Sequence, residues 1–140
     1  MKKKIAILGS TGSIGKSLLE IIDKHQSNFE IVLLTANNDY KKLLLLAKKF
    51  KVKNLIINNF NSYKTLKLKT KKLNINVFNN FNEFDKIFKK KIDYVMSSIT
   101  GVDGLYPTIK IIKFTKKIAI ANKESIICGW NLINKELKKN

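Results

Sequence analysis

Short apolar runs alternate with longer amphipathic stretches along the whole chain. Residues 5–8, 31–35, 55–57, 76–78, 94–97 and 117–121 are runs of three to five largely apolar residues, the pattern of short buried strands. Between them the apolar spacing lengthens to helical periods. Residues 13–25 predict a helix with Ile14, Leu18, Ile21 and Ile22 on one face. Asp39 is placed as an N-cap for a helix over 40–50. Residues 61–73 form a lysine-rich amphipathic stretch, with Leu66 and Leu73 within reach of one stripe. Residues 81–88 predict a short helix whose apolar side gathers Phe81, Phe84 and Phe88 next to Phe78. Residues 101–114, with Pro107 inside the first two turns, and residues 125–138 complete the series.

Strand and helix thus alternate about six times. Such alternation predicts an α/β fold: a mostly parallel sheet, right-handed crossovers and helices on both faces. The strands carry no strict apolar–polar alternation, as expected when both faces are covered. At 140 residues, with no internal repeat and no low-complexity linker, the chain is expected to form one domain, residues 1–140.

The first strand runs directly into Gly9-Ser10-Thr11-Gly12-Ser13-Ile14-Gly15, and that segment opens the first helix. This is the setting in which a glycine loop cradles a dinucleotide, and it makes the predicted sheet Rossmann-like and doubly wound. The spacing G-x-x-G-x-x-G departs from the commoner G-x-G-x-x-G, but the physics is shared. Gly9 permits a sharp turn off the strand. Gly12 lets backbone approach a diphosphate, and Gly15 lets the helix pack close to the sheet. The helix mouth offers free N–H groups and a partial positive charge, with the Thr11 and Ser13 hydroxyls beside it. A tight turn without a ligand is the plainer alternative.

The end of the second strand bears on the choice between NAD and NADP. It reads Thr35-Ala36-Asn37-Asn38-Asp39-Tyr40-Lys41-Lys42. No acid stands at the strand end to take a ribose 2′-hydroxyl, and Asp39 is equally explained as a cap. The Asn37 and Asn38 amides with the Lys41 and Lys42 charges favour NADPH. A second polar cluster, Ala121-Asn122-Lys123-Glu124-Ser125, follows the last strand and opens the last helix. Asn122 and Lys123 would face a ligand outside the carboxyl ends of the strands. Alternatively, Asn122 is an ordinary cap with Glu124 and Ser125 in the first turn.

Charge adds less than its size suggests. The chain has 28 basic and 10 acidic residues, a net charge of +18, and every basic residue is lysine. Arginine provides the planar fork that reads phosphate and guanine, so its absence argues against a nucleic-acid reader. No run of about 20 apolar residues exists to span a membrane. The start, Met1-Lys2-Lys3-Lys4, precedes only four apolar residues, too few for a signal-peptide core, so a soluble cytoplasmic protein is expected. Cys128 is the single cysteine, which rules out an internal disulfide, and is expected as a small core residue. His25 is placed near a helix end, Trp130 in packing, and Lys89, Lys90 and Lys91 in a solvated turn.

Three ordered segments together resemble the 1-deoxy-D-xylulose 5-phosphate reductoisomerase family. They are Ile7-Leu8-Gly9-Ser10-Thr11-Gly12-Ser13-Ile14-Gly15, Ser98-Ile99-Thr100-Gly101-Val102-Asp103-Gly104-Leu105-Tyr106-Pro107-Thr108, and Ala121-Asn122-Lys123-Glu124-Ser125. The resemblance implies that Thr11, Gly12, Ser13 and Ile14 contact NADPH. Asn37, Asn38 and Asp39 align with the family's strand-two contacts, where Gly-Lys-Asn is frequent, so this chain lacks that lysine. Asn122 and Glu124 are implied to contact NADPH, and Lys123 the substrate. The implied reaction isomerises 1-deoxy-D-xylulose 5-phosphate and reduces the aldehyde to 2-C-methyl-D-erythritol 4-phosphate in non-mevalonate isoprenoid biosynthesis. The resemblance also implies Mg2+ or Mn2+ as the Lewis acid and a homodimer for the full-length enzyme. The family's metal carboxylates and substrate-phosphate groups lie beyond the matched region. The chain is therefore expected to hold no catalytic or metal-binding residue, to bind NADPH weakly at most, and to be inactive alone. The rivals are another Rossmann-type dehydrogenase or epimerase and a basic nucleic-acid-binding domain. The enzyme rivals would require a catalytic cysteine or a Tyr-x-x-x-Lys pair, and neither is expected.

Overall fold

The computed structural model describes residues 1–140. In chain order the elements are β1 (Lys3–Leu8), α1 (Ser13–Lys24), β2 (Phe29–Ala36), α2 (Tyr40–Lys49), β3 (Asn54–Ile57) and α3 (Phe60–Thr70). There follow β4 (Asn76–Phe78), the helical turn α4 (Phe84–Ile87), β5 (Tyr94–Ser97), α5 (Leu105–Ile111), β6 (Ile118–Ile120) and α6 (Lys123–Lys139). Short 3-10 turns lead into α4 and bracket α5. Every predicted strand is present, and all pair in parallel in the order β4-β3-β2-β1-β5-β6.

Two cores follow from the double winding. On one face α1, α2 and α3 cover the sheet, with Leu19, Ile22, Leu43, Ala47 and Leu66 packed on Ile5, Ile7, Leu34 and Leu55. On the other, Phe81, Phe84, Phe88, Ile111 and Phe114 pack on Ala6, Leu8, Leu33 and Val95. The aromatic cluster predicted from 78–88 is therefore real. Phe84 sits at its centre, with ring centroids 5.8 Å from Phe81, 5.9 Å from Phe88 and 6.1 Å from Phe114. Alternate residues of β1 go to opposite cores, so a continuous apolar strand is required.

Four expectations are corrected. The buried stripe of α1 is Gly15, Leu19 and Ile22, whereas Ile14 and Ile21 are exposed. The axis is rotated from the predicted face because Gly15 must approach the loop before it. Helix α3 ends at Thr70, so Leu73 lies outside it and is exposed. Helix α6 begins at Lys123, two residues early, because Asn122 caps it. Cys128 and Trp130, expected in the core, lie on exposed positions of α6, whose buried line is Ser125, Gly129 and Ile133. His25 does close α1, and Lys89, Lys90 and Lys91 are exposed before β5. No helix is long and apolar enough to cross a membrane.

Candidate cofactor site

The strand order reverses between β1 and β5, and the glycine loop stands at that switch. Gly9 adopts φ 82°, and a Cβ there would lie 2.9 Å from the backbone of Ser98. Ser98 in turn donates from its backbone N–H and its hydroxyl to the Leu8 carbonyl, at 2.9 and 2.7 Å. From the other side, the Gly9 N–H donates to Thr35 Oγ1 at 2.9 Å. The Ser10 N–H and hydroxyl both donate to the Thr35 carbonyl at 2.8 Å. The loop is thereby pinned to both neighbouring strand ends. A Cβ on Gly15 would stand 2.5 Å from the Gly9 carbonyl oxygen, so this glycine is demanded by packing. Gly12 differs from both. Its φ is −75°, and a Cβ would meet nothing nearer than 3.5 Å. Nothing inside the chain requires glycine there.

The helix that the loop opens also differs from its peers. Asp39 caps α2 by accepting from the Lys42 N–H at 3.0 Å, Asn59 caps α3 through Ser62 N–H at 2.9 Å, and Asn122 caps α6 through Ser125 N–H at 2.9 Å. Helix α1 has Gly12 at the cap position and no side-chain acceptor. The N–H groups of Thr11, Ser13, Ile14 and Gly15 find no acceptor in the chain, nor do the Thr11 and Ser13 hydroxyls form a hydrogen bond in it. A helix mouth left without its internal acceptor is a standing site for an anion.

Beside this mouth lies a cleft of about 460 Å3. Its wall comes from the carboxyl ends of four strands: Gly9 after β1, Thr35 and Ala36 of β2, Asn58 after β3, and Ser98 after β5. Thr11, Gly12 and Asn37 of the predicted site residues line it. Ser13, Ile14, Asn38, Asp39, Asn122, Lys123 and Glu124 stand outside its wall. Several wall residues were not singled out as site residues. Thr35 and Asn58 could have been, since each closes a predicted strand on the ligand-binding edge of the sheet. Phe81, Asp103 and Tyr106 reach the cleft from the segments around α4 and α5 and carry no local signal of doing so.

At the β2 end, the Asn37 carbonyl accepts from Asn59 N–H at 2.8 Å, and the Asn38 carbonyl accepts from the Ser62 hydroxyl at 2.8 Å. Their side-chain amides form no hydrogen bond within the chain and are exposed. Nearby, Lys16 is the neighbour that most affects the Lys42 ammonium. That neighbour and partial desolvation hold it below its usual value, with Asp39 offsetting only part of the effect.

The second cluster resolves into two roles. Asn122 is 4% exposed. Its Nδ2 donates to the carbonyls of Ile99 and Gly101, and its Oδ1 accepts from Ser125 N–H. Both side-chain donors are thus engaged within the chain, joining the loop after β5 to the start of α6. Gly104 is needed for that contact, because a Cβ would lie 2.5 Å from Asn122 Nδ2. The cap reading holds for Asn122, while Lys123 is exposed and Glu124 half-buried.

The expectation that no Tyr-x-x-x-Lys pair exists is corrected too: Tyr63 with Lys67 and Tyr106 with Lys110 both have that spacing. Both pairs make contacts within the chain, and Lys67 Nζ donates to the Tyr63 hydroxyl at 3.0 Å. The Tyr106 hydroxyl donates to Asn82 Oδ1, and Lys110 Nζ sits 5.4 Å from the ring centroid of Tyr106. Tyr63 is on α3, outside the cleft wall. No group of three His, Cys, Asp or Glu side chains is gathered closely enough to hold a metal ion.

The family model for 1-deoxy-D-xylulose 5-phosphate reductoisomerase matches residues 5–129. A protein of that name from Pelagibacter ubique is 60% identical over 98% of this chain and 36% of its own length. One from Phocaeicola vulgatus is 42% identical over 96% of this chain and 35% of its own. Among solved structures, 1-deoxy-D-xylulose 5-phosphate reductoisomerase from Zymomonas mobilis in complex with NADPH superposes with a TM-score of 0.89 at 28% identity, covering 99% of this chain and 37% of that one. A reductoisomerase complex with NADPH, fosmidomycin and magnesium gives 0.89 at 33% identity, over 98% and 34%. This chain spans about a third of the length of the curated relatives it matches. With its parallel sheet, its uncapped glycine turn and a family match over most of its length, the chain belongs to the 1-deoxy-D-xylulose 5-phosphate reductoisomerase family.

Proposed function

We propose that residues 1–140 form the NADPH-binding unit of a cytoplasmic reductoisomerase. The enzyme converts 1-deoxy-D-xylulose 5-phosphate to 2-C-methyl-D-erythritol 4-phosphate. The observation that carries this reading is the open mouth of α1. Alone among the four long helices it lacks a side-chain cap, and its free N–H groups adjoin the cleft at the β1/β5 switch. The diphosphate of NADPH supplies the missing acceptors there, and Gly12 leaves the space for it. Thr11, Gly12, Ser13 and Ile14 form this contact. Asn37, Asn38 and Asp39 border the adenosine ribose. NADPH supplies the hydride for the reduction step.

Asn122 serves this site by position. It fixes the loop 98–104 against the start of α6, which sets the far wall of the cleft and the direction of Lys123 and Glu124. Lys123, exposed at the first turn of α6, is the point charge for a phosphorylated or enolic oxygen of the substrate. Glu124, half-buried beside it, contacts NADPH in this reading. The divalent metal of the reaction does not fit the residues present, since Asp103 is the one carboxylate on the cleft wall and no three metal-ligating side chains are gathered. The partners in this reading are the phosphosugar and a second copy of the chain, and nucleic acid is not among them.

The test is a titration of the 140-residue chain with NADPH, NADH and ATP, followed by Trp130 fluorescence and by thermal shift. Saturable binding of NADPH that ATP does not reproduce is expected. A folded chain that shows no response to either reduced nicotinamide cofactor would refute the reading.

A further inference from the structure

Two segments of the cleft wall follow strands that are far apart in the sheet. The turn Phe81–Glu83 comes after β4 and helix α5 after β5, and β3, β2 and β1 lie between those two strands. A run of asparagines fixes the first segment. Asn79 Nδ2 donates to the carbonyls of Ile57 and Asn58, at 2.8 and 3.0 Å, where β3 ends. Asn80 Oδ1 accepts from the Asn82 N–H at 2.9 Å and holds the turn. Asn82 Oδ1 in turn accepts from the hydroxyl of Tyr106, in the first turn of α5, and so joins the two segments.

Tyr106 lines the cleft and is 49% exposed. Phe81, also on the wall, is buried in the aromatic core, its ring centroid 5.8 Å from that of Phe84. A half-exposed ring on a helix surface can change rotamer, and the bond to Asn82 fixes where this one stands. That bond adds little to folding, because an exposed neutral hydrogen bond is weak. Its place is more informative. In the cofactor reading the diphosphate lies at the glycine turn and the adenosine ribose at Asn37 and Asn38. Past the ribose, towards β4, the wall is formed by Ala36, Asn58 and Phe81, with Tyr106 reaching in from α5. An aromatic face at that end suits a flat heteroaromatic base, which any such face can stack on.

We propose that Tyr106 is the stacking platform for the adenine of the dinucleotide, and that Asn82 is the positioning residue that holds its ring in place. The inference rests on the cofactor reading above and deepens it by naming what grips the base. The hydroxyl–amide bond removes the ring's rotational freedom before the ligand arrives, so less entropy is lost when the base stacks. NADPH and NADH carry the same base, so this grip adds affinity without choosing between them.

The test measures dissociation constants of NADPH, NADH and adenosine 2′,5′-bisphosphate for the 140-residue chain and its variants. Tyr106→Ala removes the platform and should weaken NADPH and NADH alike, by about thirtyfold. Tyr106→Phe and Asn82→Ala each keep the ring but lose the bond, and each should weaken both dinucleotides by about fivefold. The two changes combined should cost no more than either alone, because they break one bond. Asn82→Asp keeps an acceptor and should bind as the unaltered chain does. Adenosine 2′,5′-bisphosphate should follow the same series, since it carries the base without the nicotinamide. Both residues are exposed, so thermal unfolding should stay the same throughout. Unaltered binding in Tyr106→Ala overturns the platform and leaves the cofactor site standing. So does a loss confined to the dinucleotides and absent from the bisphosphate. Additive losses, or a loss in Asn82→Asp as large as in Asn82→Ala, overturn the positioning role. Failure of the unaltered chain to bind either dinucleotide overturns the cofactor reading and this inference with it.

Discussion

Two strand-to-helix turns of this protein carry polar signatures of similar appearance, and they do opposite things. The turn after β1 keeps its donors free: four backbone N–H groups and two hydroxyls have no acceptor in the chain. The turn after β6 engages its own: both Nδ2 hydrogens and the Oδ1 of Asn122 bond within the chain, and the residue is buried. The difference lies in the cap residue. Gly12 has no side chain with which to close its helix, while Asn122 has one that closes its helix and reaches two further carbonyls. A polar motif at the ligand edge of a parallel sheet can therefore be a cradle or a staple, and the distinguishing feature is whether its hydrogen bonds are already made.

Substitutions should separate the two roles, and the largest effect tests the packing of the cradle. Gly15→Val places side-chain atoms against the Gly9 carbonyl, where even a Cβ would stand at 2.5 Å. It should destabilise the fold by about 3 kcal/mol, read by denaturant unfolding, because backbone cannot yield to an overpacked side chain. Next comes the staple. Asn122→Ala strands the carbonyls of Ile99 and Gly101 and uncaps α6, for a loss of about 2 kcal/mol in the same assay. A change near zero would show that these bonds contribute nothing and would erase the contrast.

Gly12→Asp sharpens the comparison because stability and binding should part company. The backbone angles suit an N-cap and a Cβ has room, so stability should change by less than about 1 kcal/mol. NADPH affinity should nonetheless fall by more than about tenfold, since a carboxylate would occupy the helix mouth and repel the diphosphate. A Gly12→Asp chain that bound NADPH normally would show that the mouth is not the diphosphate site.

The smallest effect concerns acid. The Lys49 ammonium beside Asp23 and the Lys116 ammonium beside Asp93 hold these carboxyls below the usual carboxylate range. A depressed folded-state value gives stability that is present above the unfolded value, near 4, and lost as pH falls through the folded one. Both pairs are solvent-exposed, so the contribution should be small and weakened by salt. A slight drop in Tm below about pH 4 is expected, reduced in Asp93→Asn. Both pairs lie away from the cleft wall, so the drop should leave the relative stability effects at Gly12 and Asn122 unchanged.

Much of this protein was legible before any coordinate. The strand positions, the parallel order of β and α, the cap at Asp39, the aromatic cluster around Phe84 and the turn at Gly9 all follow from local rules. Period, β-branching, cap chemistry and the φ of a glycine are properties of a few consecutive residues. The misplaced elements were those in which a distant contact overruled local pattern. Helix α1 turns its Gly15 side inward because the loop needs it, and α6 starts early because Asn122 finds acceptors after β5.

The sequence by itself determined that the chain would wind a parallel sheet and open its first helix on a glycine turn. Only the tertiary structure decided which polar groups remain free. Ser98 meets the Leu8 carbonyl across 90 residues, and Asn122 meets the carbonyls of Ile99 and Gly101 across 23 and 21. Hydrogen bonds and charges act over a few ångströms in space, and strand order, not sequence spacing, sets which side chains come that close.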